Sequence, residues 1–121
     1  MRIDVHSHLI FLDYLKYLAG RSSLPTGVLE GGTYFVSCTG GYRHASPLVH
    51  ADVDAKLRAM EDLGIGMSVL SHGIPGPELL GGDEADDWAS RINDHLAEVI
   101  AQHPGKFAAW VTLGWGSAQR T

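Results

Sequence analysis

The hydrophobic and polar positions of this chain divide it into short segments of changing period. At the start, apolar Ile3 and Val5 alternate with polar Asp4, His6 and His8. Period two marks a strand, and residues 3–7 are read as a short one. That reading sets Ile3 and Val5 on one face, under a covering helix, and Asp4, His6 and His8 together on the other. Phe11, Leu12, Leu15 and Leu18 follow at near-helical spacing, predicting a helix over 11–19 that stops at Gly20. From 21 to 51 no period holds. This stretch is rich in Gly, Ser, Thr and Pro, and only 33–37 has the look of a strand, one arm of a small hairpin. A segment so long without structure is expected to be a functional cover or disordered.

Regularity returns at residue 52. Val53, Leu57 and Met60 recur at i, i+4 and i+7, with Lys56, Arg58 and Glu61 expected in water. Asp52 is positioned as N-cap and Gly64 as left-handed stop. Residues 65–71 read as a mostly apolar strand, and 72–77 as a loop containing His72. The helix over 83–103 has the clearest stripe, Trp88, Ile92, Leu96, Val99, Ile100 and His103, with Asp83 as its expected cap and Pro104-Gly105 as its end. A third strand is expected over 106–113. Trp88 and Trp110 are read as packing residues, and His95 and His103 as surface or edge groups. Strands separated by helices imply parallel pairing through right-handed crossovers, so the fold class is α/β.

Composition narrows the functional classes. The 121 residues allow one domain or less, 45% of them hydrophobic and 8% aromatic. A formal charge of −5 and the lack of a basic run argue against nucleic acid and acidic membranes as partners. No apolar run is long enough to span a bilayer, and the chain enters its first strand without room for a signal peptide. Cys38 is the single cysteine and is expected to be inert, in keeping with a reduced, cytoplasmic setting.

Seven histidines make the chemistry worth locating. In a parallel sheet the functional groups gather at the carboxyl ends of the strands. His6 and His8 lie at the end of the first strand and His72 just after the second. Two neutral imidazoles about 6–7 Å apart along one strand face can converge on one ion, at about 2.0–2.2 Å from each nitrogen. His44 and His50 are read as loop histidines, and Asp4 as a group that ties down the strand or orients a ligand.

The run Ile3-Asp4-Val5-His6-Ser7-His8 resembles the opening signature of the amidohydrolase superfamily. More closely, the chain resembles the amidohydrolase-related branch that contains aminocarboxymuconate-semialdehyde decarboxylase and related aromatic-acid decarboxylases. Three further stretches carry the likeness: DVDAKLRAMEDLGI at 52–65, SVLSHGIPGPELL at 68–80, and RINDHLAEVIAQHPGKFAAWVTL at 91–113. The resemblance spans residues 1–113 and implies the N-terminal part of a (β/α)8 TIM barrel, with a divalent metal, usually zinc, at its mouth. It makes His6 and His8 metal ligands and Arg43 a contact for the substrate carboxylate, a task suited to a guanidinium fork. His72 is a candidate mouth-lining or substrate-contacting group. The implied reaction is hydrolysis, or loss of carbon dioxide from a small carboxylic acid, with the coordinated ion lowering the pKa of water to about 7.

The chain departs from that pattern in length. A barrel needs roughly 200–250 residues or more. The later ligands and the proton-handling aspartate of such enzymes have no counterpart here, so no catalytic residue is assigned within the chain. The expected division is an incomplete barrel over 1–113, with 21–51 as a loop covering the active site, and an irregular tail over 114–121. Two readings follow: a truncated metal-dependent enzyme that is inactive alone, or a non-catalytic fragment or half-barrel that associates with another chain or with copies of itself. A flavodoxin-like binding domain is a weaker third, because His8-Leu9-Ile10-Phe11 is nothing like a Gly-rich phosphate loop.

Overall fold

A computed structural model describes residues 1–114. In chain order the elements are β1 (Arg2–His8), α1 (Leu12–Ala19), β2 (Thr26–Glu30), β3 (Thr33–Ser37), β4 (Arg43–Pro47), α2 (Val53–Leu63), β5 (Ile65–Ser71), α3 (Gly82–Gln102) and β6 (Phe107–Ala109). They form two sheets. One is parallel, in the order β1-β5-β6, and the other antiparallel, in the order β2-β3-β4. The alternation of parallel strands with α2 and α3 is the expected α/β arrangement. Most of the expected tail, residues 115–121, lies outside the described residues. Among the described residues, no helix is long and apolar enough to cross a membrane.

The stretch expected to be an irregular cover is mostly sheet. Thr26–Glu30 pairs with Thr33–Ser37 through the turn at Gly31-Gly32, and Thr33–Ser37 pairs in turn with Arg43–Pro47. The alternation is present in β3, where Tyr34 and Val36 are buried, and it continues to buried Cys38 just after the strand. It is hidden in sequence because β2 and β4 carry few apolar residues. Gly31 and Gly32 both take positive φ, which an L side chain resists, so the tight hairpin depends on this pair.

Helix α2 begins and ends as its sequence requires. The Asp52 carboxylate accepts a hydrogen bond from the Ala55 N–H (3.1 Å), and Gly64 closes the helix at φ 67°. Lys56 differs from expectation. It is half-buried, and its ammonium donates to the Ser7 hydroxyl across the helix–sheet contact. Helix α3 starts from Gly81 rather than from an Asp83 cap, leaving Asp83 and Glu84 in the first turn, where negative charge complements the helix dipole. The third strand is shorter than predicted. Only Phe107–Ala109 pairs regularly; the Trp110 N–H adds one bond to the Leu70 carbonyl, and farther on the chain is held by a side chain. The Asn93 amide donates to the Thr112 carbonyl (2.9 Å) and accepts from the Thr112 N–H (2.7 Å), taking the place of a strand partner.

One face of the parallel sheet is covered and the other is bare. Leu70 and Phe107 pack under Met60 of α2 and Ile92, Leu96 and Val99 of α3. On the opposite face, Ile3 is 50% exposed, Val5 68% and Trp110 65%. This corrects two expectations, that Ile3 and Val5 lie beneath a helix and that Trp110 is a packing residue. Parallel sheets are ordinarily buried on both sides, so this face is apolar without a cover among the described residues. Trp88, by contrast, is buried between α3 and α1, where Phe11, Tyr14 and Tyr17 surround its ring.

The core also encloses an ionisable ring. His72 is 2% exposed, edge-on to Tyr14 at 5.5 Å, and burial pushes its pKa from 6.5 down to about 4. Tyr14 donates its hydroxyl to the Gly76 carbonyl (2.7 Å), and burial raises its pKa further from neutrality.

Ile92→Ala, at a fully buried site, should cost about 2–5 kcal/mol in urea denaturation. Val5→Thr, on the bare face, should change stability by no more than about 0.5 kcal/mol. For His72 the linkage sign is set by a lowered folded pKa. Between about 4 and 6.5 the unfolded chain binds a proton that the folded chain refuses, so this ring's contribution to stability is lost as the pH falls through that window. The His72 ring proton in an NMR titration should stay at its neutral shift at pH 5; protonation near 6.5 would show that the ring is not enclosed.

Candidate metal centre

The site is built on β1, and a bulge in that strand decides its geometry. Asp4 pairs with Ser68, and Ser7 pairs with Leu70. Val5 and His6 therefore stand opposite a single β5 residue, Val69. Two residues against one is a β-bulge, which turns consecutive side chains to the same side. Asp4 and Ser7 consequently share the helix-covered face with buried Ser68 and Leu70, and both lie toward Lys56. His6 and His8 share the bare face, His8 in register with Ser71. The simple alternation that grouped Asp4 with the histidines fails at the bulge. Asp4 still serves the site: its carboxylate accepts the His6 backbone N–H (3.1 Å), a donor left without a ladder partner by the extra residue.

The two imidazoles converge. Their Nε2 atoms are 3.2 Å apart, with ring centroids at 5.0 Å and planes crossing at 86°. Two donor atoms on a tetrahedral zinc, each about 2.0–2.1 Å from the centre, are separated by about 3.3–3.4 Å. The pair therefore fits as two members of a metal ligand set. His8 is held from behind by Ser71, whose Oγ lies 2.9 Å from His8 Nδ1. Gly73 (φ 76°) passes so close that a Cβ there would sit 2.7 Å from the same nitrogen. That cradle exists only because residue 73 has no side chain. No group of three or more His, Cys, Asp or Glu among the described residues is arranged to hold a metal ion. The donor set is thus two imidazoles.

His72 lies just beyond β5, near enough to His8 that a charge on His8 adds slightly to the lowering of the His72 pKa by burial. Its Nδ1 is 3.4 Å from the Gly73 carbonyl, and its buried Nε2 has no hydrogen-bond partner among the described residues. A buried polar atom without a partner is costly, so this nitrogen is a candidate contact for a bound molecule. His95 is half-buried, stacked on Phe11 at 4.3 Å, and burial lowers its pKa.

Arg43 is placed elsewhere. It sits exposed on β4, with its guanidinium 4.4 Å from the centre of the Phe35 ring. Cross-strand pairing puts Phe35 with Val28 and Ala45 on the face opposite Tyr34 and Val36. Among the described contacts none joins Arg43 to the histidine pair. Cys38 is a buried free thiol whose pKa burial raises, consistent with an inert side chain. Ser71 and Gly73 are site residues that the sequence pattern does not single out. Their only signal was position at and just after the carboxyl end of a strand.

Comparison with known proteins gives a fold. No protein-family model matches the chain, and no curated protein sequence does. Solved structures match nearly all of it. The apo form of IDCase from Metarhizium anisopliae is 20% identical with a TM-score of 0.81, covering 99% of this chain and 37% of that one. An amidohydrolase from Staphylococcus aureus, assigned by inference, is 23% identical with a TM-score of 0.67, covering 98% and 30%. The 5-carboxyvanillate decarboxylase LigW from Sphingomonas paucimobilis is 18% identical with a TM-score of 0.69, covering 96% and 35%. The chain spans about a third of the length of each. Its strands and helices have the arrangement of the N-terminal part of a TIM barrel.

Proposed function

We propose that this chain is the N-terminal part of a metal-dependent enzyme of the amidohydrolase-related kind, a hydrolase or decarboxylase acting on a small carboxylic acid. The observation that supports this reading is the pair of Nε2 atoms 3.2 Å apart at the carboxyl end of β1, on the open face of a parallel sheet. Neutral imidazole is a good ligand for zinc, and a parallel sheet of this kind places its chemistry at that end. The named activities of two matched structures, an amidohydrolase and a decarboxylase, agree with the reaction class.

In this reading His6 and His8 hold one side of a divalent ion, most simply zinc. A bound ion supplies Lewis-acid polarisation and a lowered water pKa. The chain's own residues do the rest of what it contributes. Asp4 fixes the bulge that aims His6, and Gly73 leaves room for His8. His72, buried and neutral, offers Nε2 to a substrate. Arg43, resting on Phe35, offers a fork to a carboxylate brought to the exposed face of the antiparallel sheet. The remaining ligands and the proton-transfer group come from outside the described residues, so turnover requires more polypeptide than these residues provide.

A second reading, a half-barrel completed by another chain, is favoured by the bare apolar face and by the exposed Met1 before β1, Ile3 and Val5 on it, and Trp110 and Val111 after β6. Such edges and faces recruit polypeptide.

Zinc titration by calorimetry tests the shared premise. The wild-type chain should bind about one ion, and His6→Ala or His8→Ala should each weaken binding at least about tenfold. Equal binding by both variants would remove the metal centre from this face. Turnover of an aromatic or enol carboxylic acid by the zinc-loaded 121-residue chain would show that no further polypeptide is needed.

A further inference from the structure

We propose that Ser71 is a positioning residue for the histidine pair, holding the proton of His8 on Nδ1 so that His8 Nε2 keeps its lone pair for a metal. The inference rests on the reading of His6 and His8 as ligands and adds an asymmetry between them.

The asymmetry comes from the hydrogen bonds. The 3.2 Å contact between the two Nε2 atoms needs one proton between neutral rings: two lone pairs repel, and so do two N–H groups. His8 has a second contact, Ser71 Oγ at 2.9 Å from Nδ1. Among the described residues, no group is bonded to His6 Nδ1. Ser71 is paired with His8 in the strand register, so its hydroxyl stands beside the ring by backbone geometry and does not depend on a flexible loop. Gly73 closes the other side, where a Cβ would approach His8 Nδ1 to 2.7 Å and Cε1 to 3.1 Å. The ring is thus confined between a hydroxyl and a backbone.

With Ser71 accepting from Nδ1–H, His8 Nε2 is an acceptor, and the proton in the 3.2 Å contact belongs to His6 Nε2. In the metal-free chain His8 is the Nδ1–H tautomer and His6 the Nε2–H tautomer. His8 is ready to bind a metal as it stands. His6 must first lose its Nε2 proton to water and take one up on Nδ1, with no change in net charge. Partners of this outer kind fix the tautomer of ligating histidines and are typically worth about 10–100-fold in metal affinity.

Two measurements on the 121-residue chain decide it. Long-range 15N–1H NMR spectra of the metal-free chain should show the Nδ1–H pattern for His8 and the Nε2–H pattern for His6; the reverse assignment overturns the proposal. Zinc titration should show about tenfold weaker binding for Ser71→Ala and near wild-type binding for Ser71→Thr, which keeps the hydroxyl. Gly73→Ala should weaken binding with Ser71 intact, because the added methyl displaces the ring. Circular dichroism melts confirm that each variant is folded. Wild-type affinity in folded Ser71→Ala overturns the role of Ser71 and leaves the ligand pair standing. If the wild-type chain binds no zinc, the metal reading falls, and the metal-free spectra still decide the Ser71 contact.

Discussion

The bulge at Val5 and His6 is the constraint on which the candidate site depends. A regular strand through 3–8 in unbroken register would set residues 4, 6 and 8 on one face, carboxylate and imidazoles together. One extra residue separates them. Asp4 turns to the helix-covered side, toward Lys56, and the two histidines turn to the bare side. The cost of the bulge is a backbone N–H without a ladder partner, and the Asp4 carboxylate meets it. The same acidic side chain therefore stabilises the irregular strand and, through it, the aim of His6. Without the bulge, a carboxylate would stand beside the histidines and the ligand chemistry of the face would be different.

The rest of the fold holds that strand end in place. α1 leaves β1 after Phe11, and its aromatic residues pack around Trp88 of α3. Glu84 in the first turn of α3 accepts from both the Tyr17 hydroxyl and the Arg21 guanidinium, which fastens the far end of α1. The antiparallel sheet lies against α1 through Tyr34 and Val36, and the Ile10 N–H donates to the His50 carbonyl, joining the end of β1 to the end of that sheet. The residues around His8 are thus fixed from several directions: Ser71 by strand pairing, Gly73 by a backbone conformation open to glycine, His72 by enclosure.

Chemistry and completeness are linked in this protein by one physical fact. Among the described residues, the face that carries the histidines is the one that no helix or sheet covers. Zinc sites in proteins ordinarily have three or four protein donors, and the two imidazoles on this open sheet supply two. Whatever covers Ile3, Val5 and Trp110 also decides whether the pair becomes a strong site. The solved structures that share this arrangement are about three times as long.

Much of this was legible in the residues themselves. The α/β order, the α2 helix from its Asp52 cap to Gly64, the stripe of α3 and the presence of two histidines at the end of a strand follow from local periodicity and capping chemistry, which depend on neighbours within a few positions. The antiparallel sheet was not legible beyond β3, because β2 and β4 gain their strand character by pairing with β3 and have little of their own. The exposure of Ile3, Val5 and Trp110 was not legible either, since an apolar alternation states which face should be covered and is silent on whether anything covers it. The bulge, the Ser71 contact and the Gly73 cradle belong wholly to tertiary structure. They arise from how β1 and β5, more than fifty residues apart, fall into register. Sequence determined that two histidines would share a strand; the pairing of that strand decided which way they face and what stands behind them.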